Sequence, residues 1–249
     1  MSAGGGRKPP DRSRAMLLPG RPRTSVDFSV DRDRALALTP VSRETMARLD
    51  RFVEALLAAQ QRVNLIAAST ESTLWTRHVA DSLQLLMLAP HAHIWVDLGS
   101  GGGFPGMVIA CALAEMAGAQ VHLVESIGKK ASFLREAANA AGAPAIVHAV
   151  RIEDFVKRAP ERIDVVTARA VAPLPKLLAL AYPLLKRGAL GLFPKGQDVA
   201  GELTEAAKCW TIDATLVPSR TDSGAQIVVV RALEPKPRSR TAMRPNRAA

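Results

Sequence analysis

Five glycines lie within eight residues near the middle of the chain, directly after an acidic residue. Residues 94–106 read I-W-V-D-L-G-S-G-G-G-F-P-G, so an apolar run containing Asp97 ends where the glycines begin at Gly99. Glycine lets a backbone turn tightly and approach a ligand without a Cβ clash. The helix that follows starts with its free N–H groups facing that ligand. This arrangement predicts a cofactor-binding loop at the end of a buried strand.

The glycines fit two motifs that imply different cofactors. Gly101, Gly103 and Gly106 fit the G-x-G-x-x-G of dinucleotide-binding proteins, whereas Asp97, Gly99, Gly101 and Gly103 fit the D-x-G-x-G-x-G of methyltransferases. A carboxylate at the loop entrance repels a pyrophosphate but attracts the sulfonium and ammonium groups of S-adenosylmethionine. The second motif is therefore favoured, and a tight turn without a ligand remains the alternative.

A second acidic residue follows the next predicted strand. Val121–Val124 is apolar and ends at Glu125, which lies 26 residues after Gly99. This is near the offset at which an acid accepts hydrogen bonds from ribose hydroxyls. The helix predicted from Ser126 to Ala141 begins with basic residues that either contact phosphates or only face solvent: Lys129, Lys130 and Arg135.

The rest of the pattern alternates strands with helices and predicts an α/β fold with a mostly parallel sheet. Further strands are predicted at Ala145–Val150, Ile163–Ala168, Ala189–Phe193, Thr211–Val217 and Ala225–Arg231, and the last two are expected to form a closing strand pair joined by a polar turn. Further helices are predicted at Met107–Met116, Pro173–Leu185 and Val199–Cys209. Ligands bind at the carboxyl ends of parallel strands, so the residues that follow these strands should adjoin the glycine loop. Ile152 is the candidate for packing on adenine, and the polar residues are Arg151, Glu153, Asp154, Arg169 and Lys195.

Two amphipathic helices, Ser42–Asn64 and Glu71–Met87, are predicted ahead of the sheet as a helical cap. The second helix contains R-H-x-x-D-S. Its polar residues are four apart in pairs and share one face: Arg77 with Asp81, and His78 with Ser82. These residues either serve a site or form an ordinary salt bridge on a solvated face.

Motifs that the chain lacks narrow the chemistry. The end of the fourth predicted strand reads A-R-A-V-A-P-L instead of the N-P-P-Y type loop that orients an exocyclic amine. Cys111 and Cys209 lie in predicted helices away from the site loops, which disfavours a cysteine nucleophile for methylation of a ring carbon. Guanine N7 presents a lone pair that needs no deprotonation, so its methylation requires mainly orientation. The missing motifs are compatible with N7 chemistry.

The net charge of +10 is carried by the two ends of the chain. Residues 1–25 and residues 231–249 each hold six Arg or Lys and one acid, so the body between them is formally neutral. The ends are therefore expected to be disordered tails, which either aid solubility or grip RNA. The expected division is a basic tail, a helical cap, a methyltransferase core and a second basic tail: 1–35, 36–90, 91–233 and 234–249.

Other features bear on location and partners. The chain has no apolar run of the ~20 residues needed to span a bilayer, and its two cysteines suit a reducing compartment. The five histidines lack metal-ligand spacing. We expect a cytoplasmic monomer with neither a metal nor a membrane partner.

Taken together, these residues resemble the RsmG family, formerly GidB, of small-subunit ribosomal RNA guanine-N7 methyltransferases. The resemblance covers about residues 40 to 231 and includes Asn64-Leu65, R-H-x-x-D-S, D-L-G-S-G-G-G-F-P-G, E-S-x-x-K-K with Phe133-Leu134, Arg169-Ala170 and Lys195-Gly196-Gln197. It implies a class I S-adenosylmethionine-dependent methyltransferase fold, which is Rossmann-like, with S-adenosylmethionine as donor. The implied partner is 16S rRNA or the small ribosomal subunit. Ile66 stands where the family often has Thr.

The resemblance also implies roles for individual residues. Cofactor contacts are implied at Asp97, Gly99, Gly101, Phe104, Glu125, Ile152, Glu153 and Arg169. RNA contacts are implied at Arg77, Lys129, Lys130, Arg151 and Lys195, and we expect the last four to contact RNA phosphates. The pocket where catalysis occurs is implied at His78, Asp81 and Ser82. No catalytic base is assigned. A small-molecule methyltransferase and a noncatalytic nucleotide-binding module remain as alternatives.

Overall fold

A seven-stranded sheet forms the centre of the computed structural model, which describes Met1, residues 27–196 and residues 198–237. The strands are β1 (Ile94–Leu98), β2 (Gln120–Val124), β3 (Ala145–His148), β4 (Val165–Thr167), β5 (Leu190–Lys195), β6 (Trp210–Pro218) and β7 (Gln226–Pro235). Their order in the sheet is β3-β2-β1-β4-β5-β7-β6. Strands β1 to β5 are parallel, whereas β7 runs antiparallel to β5 and β6. The predicted α/β fold with a closing strand pair is confirmed.

Eight α-helices and three further helical turns cover this part of the chain. The helices are α1 (Ser29–Leu38), α2 (Arg43–Gln60), α3 (Asp81–Leu83), α4 (Gly106–Leu113), α5 (Gly128–Ala141), α6 (Ile152–Phe155), α7 (Leu174–Leu185) and α8 (Val199–Ala206). The turns are a 3₁₀-helix at Ala68–Thr73, a π-helix at Trp75–Ala80 and a 3₁₀-helix at Gln84–Leu88. Every described helix is too short or too polar to cross a membrane.

Apolar side chains cover both faces of the sheet, as expected where strands are buried on two sides. On one face, Trp95 of β1 packs with Leu49 and Phe52 of α2. On the other face, Phe193 of β5 packs with Leu178 of α7. Because α2 also packs against α5, the helical cap shares a core with the sheet.

Helix α2 follows from its sequence. Its buried positions recur at helical spacing, and the Ser42 side chain accepts a hydrogen bond from the Thr45 N–H as an N-cap. The full burial of Leu49, Phe52 and Leu56 removes three large side chains from water, each worth roughly 1.5–3 kcal/mol. The structure ends this helix at Gln60, four residues earlier than predicted.

Helix α1 was not predicted, and it corrects the expected boundary of the first tail. Residues 29–35 were expected to be part of a disordered segment, but they form most of α1. Tertiary contacts hold this helix, and such contacts produce no periodic apolar pattern in the sequence. Asp31 accepts from the N–H groups of Trp75 and Thr76, Arg32 pairs with Asp50, and Ala35 is buried. Of the two expected tails, the structure describes Met1, residues 27–35 and residues 234–237. The other tail residues lie outside the described residues, as does Gln197.

The second cap helix also differs from its prediction. A single helix was expected at Glu71–Met87, but the chain changes its winding there from 3₁₀ to π to α and back to 3₁₀. The π-helix carries Arg77 and His78, and such wide turns are frequent at functional sites. The predicted helix at Val199–Cys209 likewise ends at Ala206, so Cys209 is exposed after it and is not helical.

Candidate functional site

A cavity of about 760 Å³ opens at the carboxyl edge of the parallel strands. Its walls come from the glycine loop after β1, the ends of β2, β4 and β5, the π-helix, and the turn between β6 and β7. Ten of the predicted site residues line it: Arg77, His78, Asp81, Gly99, Gly101, Phe104, Glu125, Lys130, Arg169 and Lys195. Residues from segments far apart in the chain therefore meet at one cavity, as the parallel topology predicts.

The glycine loop packs too closely for side chains. Gly99 has φ of +72°, and a Cβ placed there would lie 2.7 Å from Cγ2 of Val171. A Cβ at Gly102 would lie 2.7 Å from the carbonyl oxygen of Leu65, which belongs to the opposite wall. The loop can pass between Val171 and Leu65 only because Gly99 and Gly102 have no side chains.

Asp97 lies beneath this loop and is not among the cavity-lining residues. Its Oδ2 accepts a hydrogen bond from the backbone N–H of Gly106 across 3.1 Å, at the start of α4. Its Oδ1 is buried without a hydrogen-bond partner among the described residues. Burial raises the pKa of Asp97 to about 6, against the lowering effect of the nearby Ser100 hydroxyl, which donates to the Asp97 backbone carbonyl, and of the hydrogen bond from Gly106. The site thus contains a buried acid that a nearby cation would keep ionised.

Glu125 joins the glycine loop to the end of β2. Its Oε2 accepts from the N–H of Gly101 across 2.9 Å, and its Oε1 accepts from the N–H of Ile127 across 2.7 Å. A carboxylate has about four lone-pair sites. Glu125 therefore holds the loop and keeps acceptor capacity toward the cavity that it lines.

These features fit S-adenosylmethionine. The glycines of the loop have no side chains that would keep a cofactor away from the backbone. Glu125 can still accept hydrogen bonds, and Oδ1 of Asp97, which has no hydrogen-bond partner among the described residues, favours a cationic neighbour. The cavity volume lies within the range of small-molecule sites, roughly 300–1,000 Å³. The residues that would hold the cofactor are the loop from Gly99 to Gly101 and Glu125, while Asp97 would act from beneath the loop through its negative charge.

On the opposite wall, His78 is held in one tautomer by two neighbours. Arg169 donates to Nδ1 of His78 across 2.7 Å, and a guanidinium can only donate. The proton of the neutral ring is therefore on Nε2, which lies 2.9 Å from Oγ1 of Thr70. Burial, reinforced by the charges of Arg169 and Arg77, lowers the pKa of His78 to about 3. The ring is neutral at physiological pH and both nitrogens are engaged.

Asp81 is similarly committed. Its Oδ2 accepts from Arg169 across 3.2 Å, and its Oδ1 accepts from Gln84 and from the hydroxyl of Thr221, each across 2.8 Å. The sequence also allowed an ordinary salt bridge between Arg77 and Asp81. Among the described residues these two do not pair: Arg77 pairs with Asp222, and Asp81 pairs with Arg169. The Asp81 carboxylate thus organises the wall by accepting hydrogen bonds from three side chains of other segments or turns.

Aromatic and cationic groups are stacked between the two walls. The Phe104 ring lies 4.9 Å from the His78 ring and 5.3 Å from the Phe52 ring, measured between centroids. The guanidinium carbon of Arg169 lies 5.4 Å from the centroid of Phe104. Burial lowers the pKa of Arg169, while Asp81 raises it. This stack connects the loop that carries Phe104 with the π-helix that carries His78.

Lys195 and Arg77 are paired with acids in the cavity wall. Lys195 Nζ lies 2.7 Å from Oε2 of Glu202, and Arg77 pairs with Asp222 in the turn between β6 and β7. Lys130 also lines the cavity, from the first turn of α5. Of the five residues expected to contact RNA, these three line the cavity, and two of them are paired with acids. Their RNA contacts stay predictions.

Six predicted site residues do not line the cavity. Besides Asp97, these are Ser82, Lys129, Arg151, Ile152 and Glu153. Ser82 is buried and donates its hydroxyl to the carbonyl oxygen of His78 across 2.6 Å. Ile152 packs against the apolar layer that includes α7, and the other three side chains are exposed. Their assigned roles stay predictions.

Several cavity residues were missed from the sequence. The wall at Leu65 and Ile66 is held by Gln60, whose Oε1 accepts from both of their N–H groups. Glu202 and Asp222 belong to no motif and meet their basic partners only in the fold. The one available signal for Glu202 was an acid in the first turn of a predicted helix, which is common for other reasons. Within the described residues, no group of three or more His, Cys, Asp or Glu side chains could hold a metal ion.

Comparison with known proteins places this chain in a family. Residues 45–230 match the family described as rRNA small subunit methyltransferase G. The chain is 60% identical over 207 residues to the ribosomal RNA small subunit methyltransferase G of Bradyrhizobium sp. (strain BTAi1), covering 83% of this chain and 93% of that protein. It is 54% identical over 227 residues to the protein of the same name from Nitrobacter hamburgensis, covering 91% and 87%.

A solved structure supports the fold independently. The O-methyltransferase from Bacillus cereus, in complex with SAH, superimposes with a TM-score of 0.54 at 14% identity, covering 82% of this chain and 98% of that one. At this identity the likeness concerns only the fold.

Proposed function

The chain belongs to the rRNA small subunit methyltransferase G family, and from that premise we propose that it methylates N7 of a guanine in 16S rRNA with S-adenosylmethionine as donor. The observation that carries the choice of atom is the state of His78 and Asp81. Every nitrogen of His78 and both oxygens of Asp81 already have hydrogen-bond partners inside the protein. His78 has no free nitrogen lone pair and Asp81 is held in an ion pair with Arg169, so this wall offers no uncommitted general base, and N7 attack requires none.

Other methylation chemistries fit the site less well. Attack by a pyrimidine ring carbon needs a thiolate, but Cys111 is buried in α4, where burial raises the pKa of its thiol to about 12. Cys209 is exposed and is not a cavity-lining residue. The end of β4 carries Arg169 and Ala170 in place of the polar and aromatic loop that orients an exocyclic amine.

S-adenosylmethionine supplies, when bound, an electrophilic methyl group on its sulfonium. The protein's part in the proposed reaction is to orient and to desolvate. The glycine loop, Asp97 and Glu125 hold the donor side, and the His78–Asp81 wall, fixed by Arg169, shapes the acceptor side. Orientation of two reactants can supply a large share of a barrier reduction, on the order of 7–11 kcal/mol in well-aligned cases.

The alternatives from the sequence fit the family poorly. The relatives are named as ribosomal RNA methyltransferases, which neither a small-molecule methyltransferase nor a noncatalytic nucleotide-binding module would be. We further propose that the protein acts in the cytoplasm. We also propose that it is a monomer, which light scattering of the purified protein tests.

The proposed function is tested with small ribosomal subunits from a strain that lacks the gene. Purified protein and labelled S-adenosylmethionine should restore one 7-methylguanosine in their 16S rRNA, measured by mass analysis of nucleosides. Label in another nucleoside would refute the choice of N7, and label in small metabolites alone would refute the RNA substrate.

A further inference from the structure

The ion pair between Lys195 and Glu202 in the cavity wall differs from a surface salt bridge. Its side chains are 12% and 27% exposed, whereas those of Lys208 and Glu205, the pair at the far end of α8, are 64% and 60% exposed. Only the first pair lines the cavity. A pair shielded from water is held in one geometry and can present its polar atoms to a ligand.

The hydrogen-bond capacity of this pair is not exhausted. The ammonium of Lys195 has three protons, of which one goes to Glu202 and one to the carbonyl oxygen of Ala172 across 3.1 Å. Oε2 of Glu202 accepts from Lys195 and from the N–H of Leu174, whereas its Oε1 has no hydrogen-bond partner among the described residues. The pair therefore offers one free donor beside one free acceptor.

Guanine carries the complementary groups in the same order. Its O6 accepts, and the neighbouring N1–H donates, while N7 lies on the other side of O6. In adenine the 6-amino group donates and N1 accepts, so the Lys195 ammonium would face a donor and the Glu202 carboxylate would face an acceptor. Unstacked bases are commonly selected by hydrogen bonds on this Watson–Crick edge. A base held in this way would keep N7 free.

We propose that Lys195 and Glu202 select the target guanine, with the ammonium donating to O6 and the carboxylate accepting from N1–H. This inference rests on the proposed function, since it takes a guanine in RNA as the substrate. It also changes the role expected for Lys195, from a phosphate contact to a base contact. Because the pair is neutral overall, its loss should not alter the salt dependence of RNA binding.

The test compares Glu202→Gln with Glu205→Gln, which removes the acid of the exposed pair on the same helix. Substrates are small ribosomal subunits from the strain that lacks the gene. For Glu202→Gln, kcat/KM for methyl transfer should fall about 10- to 100-fold, the loss expected for a bidentate base contact. Glu205→Gln should match the wild type. Calorimetry should show unchanged S-adenosylmethionine affinity for both variants.

Base selectivity separates recognition from a merely structural role. After the methylated position has been mapped, 16S rRNA is prepared with guanosine or adenosine at that position, in the assembly state that the wild type methylates. The side-chain amide that Glu202→Gln introduces can donate to adenine N1. The ratio of kcat/KM for the guanosine substrate to kcat/KM for the adenosine substrate should therefore be at least tenfold smaller for this variant than for the wild type. If Glu202→Gln fails to fold, Lys195→Met is used in its place, because a methionine side chain has no N–H to donate to O6.

The outcomes are distinct. Wild-type formation of 7-methylguanosine combined with equal rates for the two glutamine variants would overturn the inference and leave the proposed function intact. Reduced activity with an unchanged preference for guanosine would also overturn it, because the pair would then be only structural. A wild type that forms no 7-methylguanosine would refute the proposed function and the inference together.

Discussion

Arg169 donates a hydrogen bond to Nδ1 of His78 across 2.7 Å, although 91 positions separate the two residues in the chain. The same guanidinium contacts Asp81 and the carbonyl oxygen of Arg77, so one residue after β4 organises the π-helix. The bond also sets the protonation of His78, because a ring nitrogen that accepts from a guanidinium cannot carry a proton.

We expect His78 to remain neutral down to pH 4. Burial and the nearby guanidinium groups hold its pKa at about 3, below the ordinary 6.5. Because the unfolded chain binds the proton first, His78 stabilises the fold above pH 6.5, and this contribution is lost as pH falls toward 3. NMR titration of the ring checks this. In Arg77→Gln the pKa should rise slightly but stay below 6.5, since burial remains. A midpoint near 6.5 in the wild type would contradict the assignment.

Asp97 should show the opposite pH dependence. Burial raises its pKa from 3.8 to about 6, so the folded chain holds the proton longer, and this contribution to stability is lost as pH rises through 6. A bound sulfonium or ammonium would favour the ionised form. S-adenosylmethionine affinity should therefore rise between pH 5 and pH 7, with proton release seen as a buffer-dependent enthalpy in calorimetry. Asp97→Asn should abolish the release, and an unchanged release in this variant would show that another group is responsible.

Gly99→Val should abolish donor binding. Gly99 has φ of +72°, and a Cβ would lie 2.7 Å from Val171, so the loop cannot keep the conformation that lines the cavity. S-adenosylmethionine affinity, measured by calorimetry, should fall at least about tenfold, or ~1.4 kcal/mol. Gly128→Ala is the matched control, because a Cβ there meets no atom within 4 Å. Unchanged affinity in a folded Gly99→Val protein would show that the loop is not the donor site.

Asp31→Ala should destabilise the protein, although this residue precedes the region that matches the family. Its carboxylate accepts from the N–H groups of Trp75 and Thr76 across 2.7 and 3.2 Å, at the start of the π-helix. Loss of hydrogen bonds to a charged group should lower the free energy of unfolding by about 1–3 kcal/mol in urea denaturation.

Asp33→Ala, an exposed acid on the same helix, is the control and should change little. A chain that begins at residue 36 lacks Asp31, Arg32 and Ala35 and should lose at least as much stability, whereas one that begins at residue 27 should not. Equal stability of the two truncated chains would mean that α1 is dispensable.

Lys130→Ala should weaken RNA binding by removing a phosphate contact. Lys130 lines the cavity, and none of the ion pairs among the described residues includes it. Affinity for 16S rRNA should fall, and the slope of log affinity against log salt should shrink by about 0.7–0.9. Lys208→Ala should leave both unchanged, because Lys208 pairs with Glu205 on the solvated end of α8. Identical slopes for the two variants would remove Lys130 from the RNA surface.

Local patterns predicted the parts of the fold that depend on neighbouring residues. The apolar run to Asp97, the glycines after it and the acid at Glu125 predicted the loop, because the strand period and glycine's backbone freedom are local properties. The closing strand pair was predicted for the same reason. Helix α1 escaped prediction because its stability comes from Trp75, Thr76 and Asp50, which are distant in sequence.

What the sequence determined by itself was the order of strands and helices and the cofactor loop; the tertiary structure alone decided which polar groups meet. R-H-x-x-D-S suggested an Arg77–Asp81 pair, but each side chain found a partner from another segment, Asp222 and Arg169. Lys195 was expected to grip phosphate until the fold placed it against Glu202. Spacing predicts contacts only within one helix or strand, whereas hydrogen-bond partners at a sheet edge are brought together by the packing of the whole chain.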